Sequence, residues 1–336
     1  RAVNVADGIG MRAADTILPI VPMFHANAWS IAFGAPAIGT KLVMPGAKMD
    51  GDSICELLIN ERVTISAAVP TVWLSLLQYL EKTGKKLPYL NRVTIGGSAC
   101  PRAIMEAFER DHGVDVFHAW GMTEMSPIGT IGSLKPREAA LSRDEQIDVK
   151  LKQGRALFTV EMKITDDNDK ELPWDGKAFG NLKVRGPAIA KAYFKNEGGK
   201  ILDDEGFFHT GDVATINPAG YMQITDRAKD VIKSGGEWIS SIDLENTAMS
   251  HPDVAEAAVI GIKHPKWDER PLLIVVAKDG TQPSRDDILR FLDGKIAKWW
   301  MPDDVAFVKE IPHTATGKVQ KRDLRETFRD YKLPTA

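Results

Sequence analysis

The stretch from residue 63 to residue 120 alternates short apolar runs with helical patterns, and this alternation constrains the fold more than any other feature. Pro70 opens TVWLSLLQYLEK, whose apolar residues recur at helical spacing, and Pro101 stands at a second helix start, where its missing N–H costs nothing. Three runs have the β-branched, apolar composition of buried strands: VTISAAV (63–69), RVTI (92–95) and VDVFHAW (114–120). The order strand, helix, strand, helix, strand predicts a parallel, doubly wound α/β sheet.

Two glycine-containing motifs follow the second and third strands. Ligands of such sheets bind beyond the carboxyl ends of the strands, where GGSA (96–99) and GMTE (121–124) fall. Gly121 would let the backbone approach a flat ring or a phosphate, Thr123 offers a hydroxyl, and Glu124 suits Mg²⁺. A polar turn after a strand explains GMTE alone at least as well, and a tight connection explains GGSA, so both interpretations stay open.

The remainder of the chain changes pattern twice. Residues 155–226 alternate apolar and polar residues, which predicts antiparallel β structure as a small barrel or a distorted sheet. Residues 227–336 mix helical and strand patterns and have the length of a small α+β domain. We therefore expect three parts, 1–154, 155–226 and 227–336.

Composition excludes several classes of protein. Among 336 residues, 43 Lys and Arg oppose 46 Asp and Glu, and no basic stripe suggests nucleic acid as a partner. Two cysteines rule out a disulfide framework and fit a reduced, cytoplasmic compartment. No apolar run approaches the roughly 20 residues of a membrane span.

Three later motifs carry charge beside glycine. FHTGD (208–212) ends in Asp212, which could accept from a pair of ribose hydroxyls or be a turn residue. TDRAKDVIKSGGEWIS (225–240) packs charges ahead of two glycines, as a solvated linker or a hinge would. Lys318 follows a glycine on a loop. It could be an ordinary solvated lysine, or a mobile cation that is delivered to a developing negative charge.

PMFHANAW (22–29) sets His25 and Trp29 four residues apart, which predicts that they share one helical face. Ordinary amphipathic packing explains this spacing. One wall of a carboxylic-acid pocket explains it too.

The order of these motifs is more specific than any one of them. GMTE, then TGD, then DR…KSGGE, then TGK resembles the adenylate-forming superfamily of acyl-CoA synthetases, luciferases and peptide-synthetase adenylation domains. The resemblance runs from about residue 20 to the end, and FHANAW, GGSACP and IKSGGEWISSIDLEN look closest to ligases of fatty acids and of 3-methylmercaptopropionate. It implies a large AMP-binding domain, whose C-terminal part is 1–154 with a β-rich subdomain at 155–226, and a small mobile C-terminal domain.

The resemblance also implies substrates and residue roles. The chain would use ATP, Mg²⁺ and coenzyme A with a short- or medium-chain carboxylic acid. Thr123 would meet the phosphates, Glu124 would hold Mg²⁺, and Lys318 would reach the acyl carboxylate and the α-phosphate. Asp226 would be the hinge of the mobile domain. Three further sets are implied, for the nucleotide (Gly97, Ser98, Ala99, Ala119, Trp120, Gly121, Asp212, Arg227), for CoA (Lys233, Gly235, Gly236, Trp238) and for the acid (His25, Trp29, Val69, Trp73, Gly121, Met125). His25 is also a candidate catalytic residue, which would either assist the CoA thiol or only shape the pocket.

The chain departs from the family pattern in two places. The Ser/Thr/Gly-rich phosphate loop, which in the family precedes the histidine motif, is absent, so we expect that an N-terminal portion is missing. Ala192 stands where the family often has glycine before a tyrosine. An adenylation domain that loads a carrier protein and a non-catalytic fragment are the alternatives to a CoA ligase, and a homodimer is a further expectation.

Overall fold

The parallel sheet predicted between residues 63 and 120 is present in the computed structural model, which describes residues 8–314 and 317–336. Its three strands are β3 (Ile65–Ala68), β4 (Arg92–Ile95) and β5 (Asp115–Gly121), and each pairs with the next in parallel. Helix α4 (Pro70–Thr83) joins the first two and begins at the predicted proline. The predicted α/β class is therefore confirmed.

The sheet has seven strands in the order β2-β1-β3-β4-β5-β6-β7. Strands β1 and β2 extend the parallel part, whereas β6 and β7 pair antiparallel at the other edge. The additional strands are β1 (Thr16–Ile20), β2 (Lys41–Leu42), β6 (Ile128–Ile131) and β7 (Arg155–Ala156). A largely parallel sheet with an antiparallel edge is common among doubly wound folds.

Helices α3, α4 and α5 bury apolar side chains together with residues of the sheet. Trp73 of α4 meets Phe108 edge to face, with ring centroids 5.3 Å apart. Asp50 caps α3 by accepting a hydrogen bond from the Ser53 N–H. The bounds are α1 (Ala26–Trp29), α2 (Ile31–Ile38), α3 (Gly51–Asn60), α5 (Arg102–Glu106), α6 (Pro136–Ala139) and α7 (Arg143–Lys150).

The predicted antiparallel β region forms a four-stranded sheet of order β11-β10-β9-β8. Its strands are β8 (Glu161–Thr165), β9 (Gly180–Arg185), β10 (Phe208–Ile216) and β11 (Met222–Arg227). Its strand order is open, so it is a sheet and not the small barrel that was the other predicted form.

The chain divides into two compact units. The first comprises residues 1–210 and 215–223, and the second comprises 211–214 and 224–336. The three-part division at residues 154 and 226 stays a prediction. In the described ranges, no helix combines the length and the apolar character needed to cross a membrane.

The second unit is an α+β structure. Strands β12 to β15 follow the order β13-β12-β15-β14, and β16 pairs with β15 in parallel. Apolar clusters contain Val259 and Leu273 on one side and Ile260 and Leu272 on the other, so alternate residues of β14 and β15 serve different cores. The bounds are β12 (Ile232–Ser234), β13 (Glu237–Ile239), α8 (Ser241–Met249), β14 (Val254–His264), β15 (Asp268–Ala277), α9 (Arg285–Leu292), β16 (Asp304–Phe307) and α10 (Lys321–Thr327).

Candidate active site

The carboxyl ends of four adjacent parallel strands lie side by side along one border of the large sheet, which we call the shared sheet edge. Ile20 of β1 is in register with Ala68 of β3, Ala68 with Ile95 of β4, and Ile95 with His118 of β5. The segments that follow these strands contain most of the nucleotide and acid residues predicted in the first unit. The sheet topology thus brings to one edge residues that are separated by about a hundred positions in sequence.

The turn after β5 is closed by its own backbone. The Met122 N–H donates to the Pro127 carbonyl over 2.8 Å, and Thr123–Met125 form a single 3₁₀ turn between them. A Cβ on Gly121 would lie 2.0 Å from the Pro127 oxygen. Close approach of the Pro127 backbone thus explains the glycine, and the expectation that Gly121 makes room for a ring or a phosphate stays a prediction. Thr123 remains exposed.

Glu124 is held by a segment that the sequence analysis left without a function. The Tyr193 hydroxyl donates to Glu124 Oε1 over 2.7 Å, and this bond raises the pKa of Tyr193. The Ala190 N–H donates to the Glu124 carbonyl over 2.8 Å. The residues that the structure describes contain no group of three His, Cys, Asp or Glu placed to hold a metal. A lone carboxylate still fits Mg²⁺, which takes one or two carboxylates together with substrate phosphates.

The loop after β4 presents backbone to solvent. Gly97 has a φ of +85°, a conformation that favours glycine, and both Gly97 and Ser98 are exposed, while Ala99 is half-buried. Behind the loop, buried His118 places Nδ1 2.8 Å from the Leu151 carbonyl and Nε2 3.4 Å from the Ser98 carbonyl. Burial lowers the pKa of His118, which favours the neutral form of the ring behind the loop.

The segment that contains His25 and Trp29 is not the right-handed helix that their spacing predicted. Ala26 to Ser30 all have φ between +45° and +62°. A left-handed residue other than glycine costs roughly 1–2 kcal/mol, so the turn is strained. The Trp29 indole approaches to 3.3 Å of the position that a Cβ on Gly96 would take. Gly96, which the sequence analysis did not single out, therefore gives the indole its space.

Two residues assigned to the acid pocket belong to the interior instead. Trp73 and Met125 have no exposed surface. Trp73 packs on Phe108, and Met125 crowds Gly129, where a Cβ would lie 2.4 Å from the methionine methyl. Their pocket role stays a prediction, although neither side chain reaches solvent in this structure. Val69, by contrast, is half-buried at the start of α4.

The predicted ribose and lysine residues lie together in the second unit. Arg227 Nε is 2.8 Å from Asp212 Oδ1, and the Ala228 N–H donates to the Gly211 carbonyl over 2.9 Å. Thr314 brackets the lysine loop, since its N–H donates to the Lys318 carbonyl over 2.8 Å. Burial lowers the pKa of Lys318, the Arg227 charge lowers it further, and Asp212 opposes both.

The predicted hinge residue, Asp226, is buried among charged groups. Its Oδ2 accepts from the Ser241 N–H over 2.7 Å. Lys321 contacts the Ser241 hydroxyl and lies 2.8 Å from Glu245 Oε1. Burial raises the pKa of Asp226, although Lys321 opposes the rise. Lys321 and Glu245 were not predicted here, because nothing in their spacing links them to residue 226.

The predicted CoA residues form a β-hairpin. Lys233 pairs with Trp238 across strands β12 and β13, and the Lys233 ammonium lies 5.7 Å from the indole centroid. Gly235 and Gly236 form the turn with φ of +61° and +88°, which tight hairpin turns require. Turn geometry thus explains both glycines. Gly236 has open space around it, whereas Gly235 faces two indoles.

Comparison with known proteins decides the family. Residues 1–194 match the AMP-binding enzyme family, and residues 243–318 match the AMP-binding enzyme C-terminal domain. The chain belongs to the AMP-binding enzyme family. This confirms the resemblance inferred from the motifs.

Individual members of the family are similar over nearly the whole chain. The chain is 50% identical over 329 residues to the 3-methylmercaptopropionyl-CoA ligase of Ruegeria lacuscaerulensis, which covers 98% of this chain and 61% of that protein. It is 46% identical to the medium-chain-fatty-acid–CoA ligase of Ectopseudomonas oleovorans, over 97% of this chain and 60% of that one. The ATP-bound crystal structure of MatB from Rhodopseudomonas palustris superposes with a TM-score of 0.82 at 30% identity, over 97% of this chain and 63% of that one. The chain thus spans about three fifths of the length of these relatives.

Proposed function

We propose that the protein is an AMP-forming acid–thiol ligase that activates a short- or medium-chain carboxylic acid with ATP and transfers the acyl group to coenzyme A. The observation that carries the proposal is the shared sheet edge, at which the segments after β1, β3, β4 and β5 meet. Membership of the AMP-binding enzyme family and the CoA-ligase names of similar proteins support it.

In the first half-reaction, a carboxylate oxygen of the acid attacks the α-phosphorus of ATP, pyrophosphate leaves, and acyl-AMP remains. Two anions approach each other, so the site must supply fixed positive charge. Lys318 would supply it to the acyl carboxylate and the α-phosphate, and the exposed Thr123 hydroxyl would donate to a phosphate oxygen. Glu124 would hold Mg²⁺, whose charge neutralises phosphate oxygens when it is bound. The Asp212–Arg227 pair would bind the ribose hydroxyls.

In the second half-reaction, the CoA thiol attacks the acyl carbonyl and AMP leaves. Lys318 has no role in this step, and we propose that rotation at Asp226 removes it and brings the hairpin of Lys233, Gly236 and Trp238 toward CoA. The chain's own sulfur is not required. Cys100 is buried and its burial raises the pKa of the thiol, which makes it a poor nucleophile.

The preferred acid is expected to be short or medium in length, with 3-methylmercaptopropionate as the first candidate. Trp29 is a bulky residue that packs at Gly96, on the edge where the acid would enter. A thioether acid is about as apolar as a short alkyl chain. Because an apolar pocket discriminates by about 1–3 kcal/mol per methylene, we expect related acids to react as well.

Measurement of AMP release by the native, full-length protein tests the proposal. The protein is given ATP, Mg²⁺ and CoA with 3-methylmercaptopropionate, butyrate, hexanoate, palmitate or benzoate. We expect AMP release that requires both an acid and CoA, with short and medium acids ahead of palmitate. Acid-dependent exchange of pyrophosphate into ATP without AMP release on addition of CoA would favour loading of a carrier protein, and neither exchange nor AMP release with any acid would favour a non-catalytic fragment. A cytoplasmic location and a homodimer stay predictions.

A further inference from the structure

Segment 186–193 contacts the turn after β5 at three points, which makes it more than a connection between strands. The Ala190 N–H donates to the Glu124 carbonyl over 2.8 Å. The Ser126 hydroxyl donates to the Ala188 carbonyl over 2.9 Å. The Tyr193 hydroxyl donates to Glu124 Oε1 over 2.7 Å. One bond holds the backbone of the turn, the second holds the Ser126 side chain, and the third holds the Glu124 carboxylate.

We propose that Tyr193 is a positioning residue that orients the Glu124 carboxylate for the metal that accompanies ATP. The inference rests on the proposed function, in which Glu124 holds Mg²⁺. A carboxylate has about four lone-pair positions, so the hydroxyl bond on Oε1 leaves Oε2 for a cation. Groups that hydrogen-bond to a metal-binding carboxylate fix its orientation, and their loss typically weakens metal binding about 10–100-fold.

The geometry favours this role over simple packing of the tyrosine ring. Tyr193 is 42% exposed, so its side chain contributes little to a core. Its neighbour Phe194 is 78% exposed. The hydroxyl is therefore the part of Tyr193 with a defined partner, and that partner is the one acidic side chain of the 3₁₀ turn.

Removal of the hydroxyl alone tests the proposal. Isothermal titration calorimetry would give the ATP dissociation constant of the native, full-length protein in Mg²⁺ and in EDTA. The constant in EDTA divided by the constant in Mg²⁺ is a ratio that measures metal-dependent binding. We expect Tyr193→Phe to reduce this ratio about tenfold or more, with the constant in EDTA unchanged. Tyr89→Phe is the matched control, because Tyr89 is 39% exposed, lies in the same unit and contacts Arg62 through its ring.

A second variant separates positioning of Glu124 from a general effect on the turn. In the Glu124→Gln background, Tyr193→Phe should leave the ratio unchanged, because the carboxylate on which it acts is gone. An equal ratio in Tyr193→Phe and the wild-type protein would overturn the inference, and so would equal weakening in Mg²⁺ and EDTA. A wild-type ratio near one would instead remove the metal role of Glu124, which is a failure of the proposed function.

Discussion

Replacement of Lys321 by methionine tests the buried charges around Asp226. Lys321 and Glu245 have side chains that are only 11% and 14% exposed, with 2.8 Å between Nζ and Oε1. Removal of one partner of such a pair leaves the other charge buried and typically costs about 3–5 kcal/mol. In the variant, Glu245 keeps its bond from the Val259 N–H, at 2.8 Å, but loses the ammonium. We therefore expect the second unit to lose about 3–5 kcal/mol of its free energy of unfolding at neutral pH.

The cost should depend on pH in a defined direction. Burial already raises the pKa of Glu245, and Lys321 opposes the rise. Without Lys321 the pKa rises further, so the folded variant takes up a proton as the pH falls. Protonation removes the buried charge, and a raised folded-state pKa gives stability at low pH that is lost as the pH increases. The difference between Lys321→Met and wild type should therefore shrink on acidification.

Hydrogen–deuterium exchange of peptides from α8 and β14 measures this difference locally, as opening free energies over a range of pH. Arg290→Met is the control, because Arg290 is 76% exposed, pairs with Asp287 at 3.4 Å and should cost less than about 1 kcal/mol. The double variant Lys321→Met/Glu245→Met should recover part of the loss, since it removes the Glu245 charge while Asp226 stays buried without the ammonium. A cost for Lys321→Met equal to that of Arg290→Met, or one that is constant with pH, would refute the reasoning.

Four further changes have expected outcomes. Lys318→Ala should abolish acyl-AMP formation but retain thioester formation from supplied acyl-AMP, and equal loss in both assays would remove the proposed role. Asp226→Pro should impair the two half-reactions to different extents. This difference should exceed the one in Asp226→Ala, which loses the carboxylate without stiffening the backbone. Burial raises the pKa of Asp243 from 3.8 to about 6, so wild type should lose up to about 3 kcal/mol of its free energy of unfolding as the pH rises from 3.8 to about 6, while Asp243→Asn does not. Parallel urea-denaturation profiles against pH would contradict this. Ala26 has a φ of +45°, so Ala26→Gly should relieve about 1 kcal/mol of strain and raise the midpoint of thermal unfolding. A lower midpoint would count against strain at this residue.

The large sheet was predictable because its strands are buried on both faces and punctuated by prolines and glycines. RVTI coincides with strand β4, and the predicted run 63–69 overlaps β3 (Ile65–Ala68). The shared sheet edge followed from strand order, since parallel neighbours end on the same side. The position of the candidate-site residues at the carboxyl ends of the strands could thus be predicted from the sequence.

Packing decided the features that the sequence did not predict. Spacing of four residues indicates a common face but not helix handedness, and the left-handed turn at Ala26 is accompanied by the packing of Trp29 at Gly96. Trp73 has the spacing of both a core and a pocket residue, and only its contact with Phe108 distinguishes them. Partners far apart in sequence, such as Tyr193 and Glu124, leave no local signal.

The contacts of Asp226 also indicate which backbone bond a hinge there would use. Its carboxylate accepts from Ser241, at 2.7 Å, and from the Arg227 N–H, at 2.8 Å, both of which follow it in the chain. Rotation about the Cα–C bond would pull the carboxylate away from both donors. Rotation about the N–Cα bond keeps both charge-assisted bonds and separates the Thr225 carbonyl from the Ser240 hydroxyl, now 2.5 Å apart. Either rotation also separates Arg227 from Asp212 and the Ala228 N–H from the Gly211 carbonyl. The two rotations therefore differ in the bonds of the Asp226 carboxylate, and the proposed rotation is less costly about φ of Asp226.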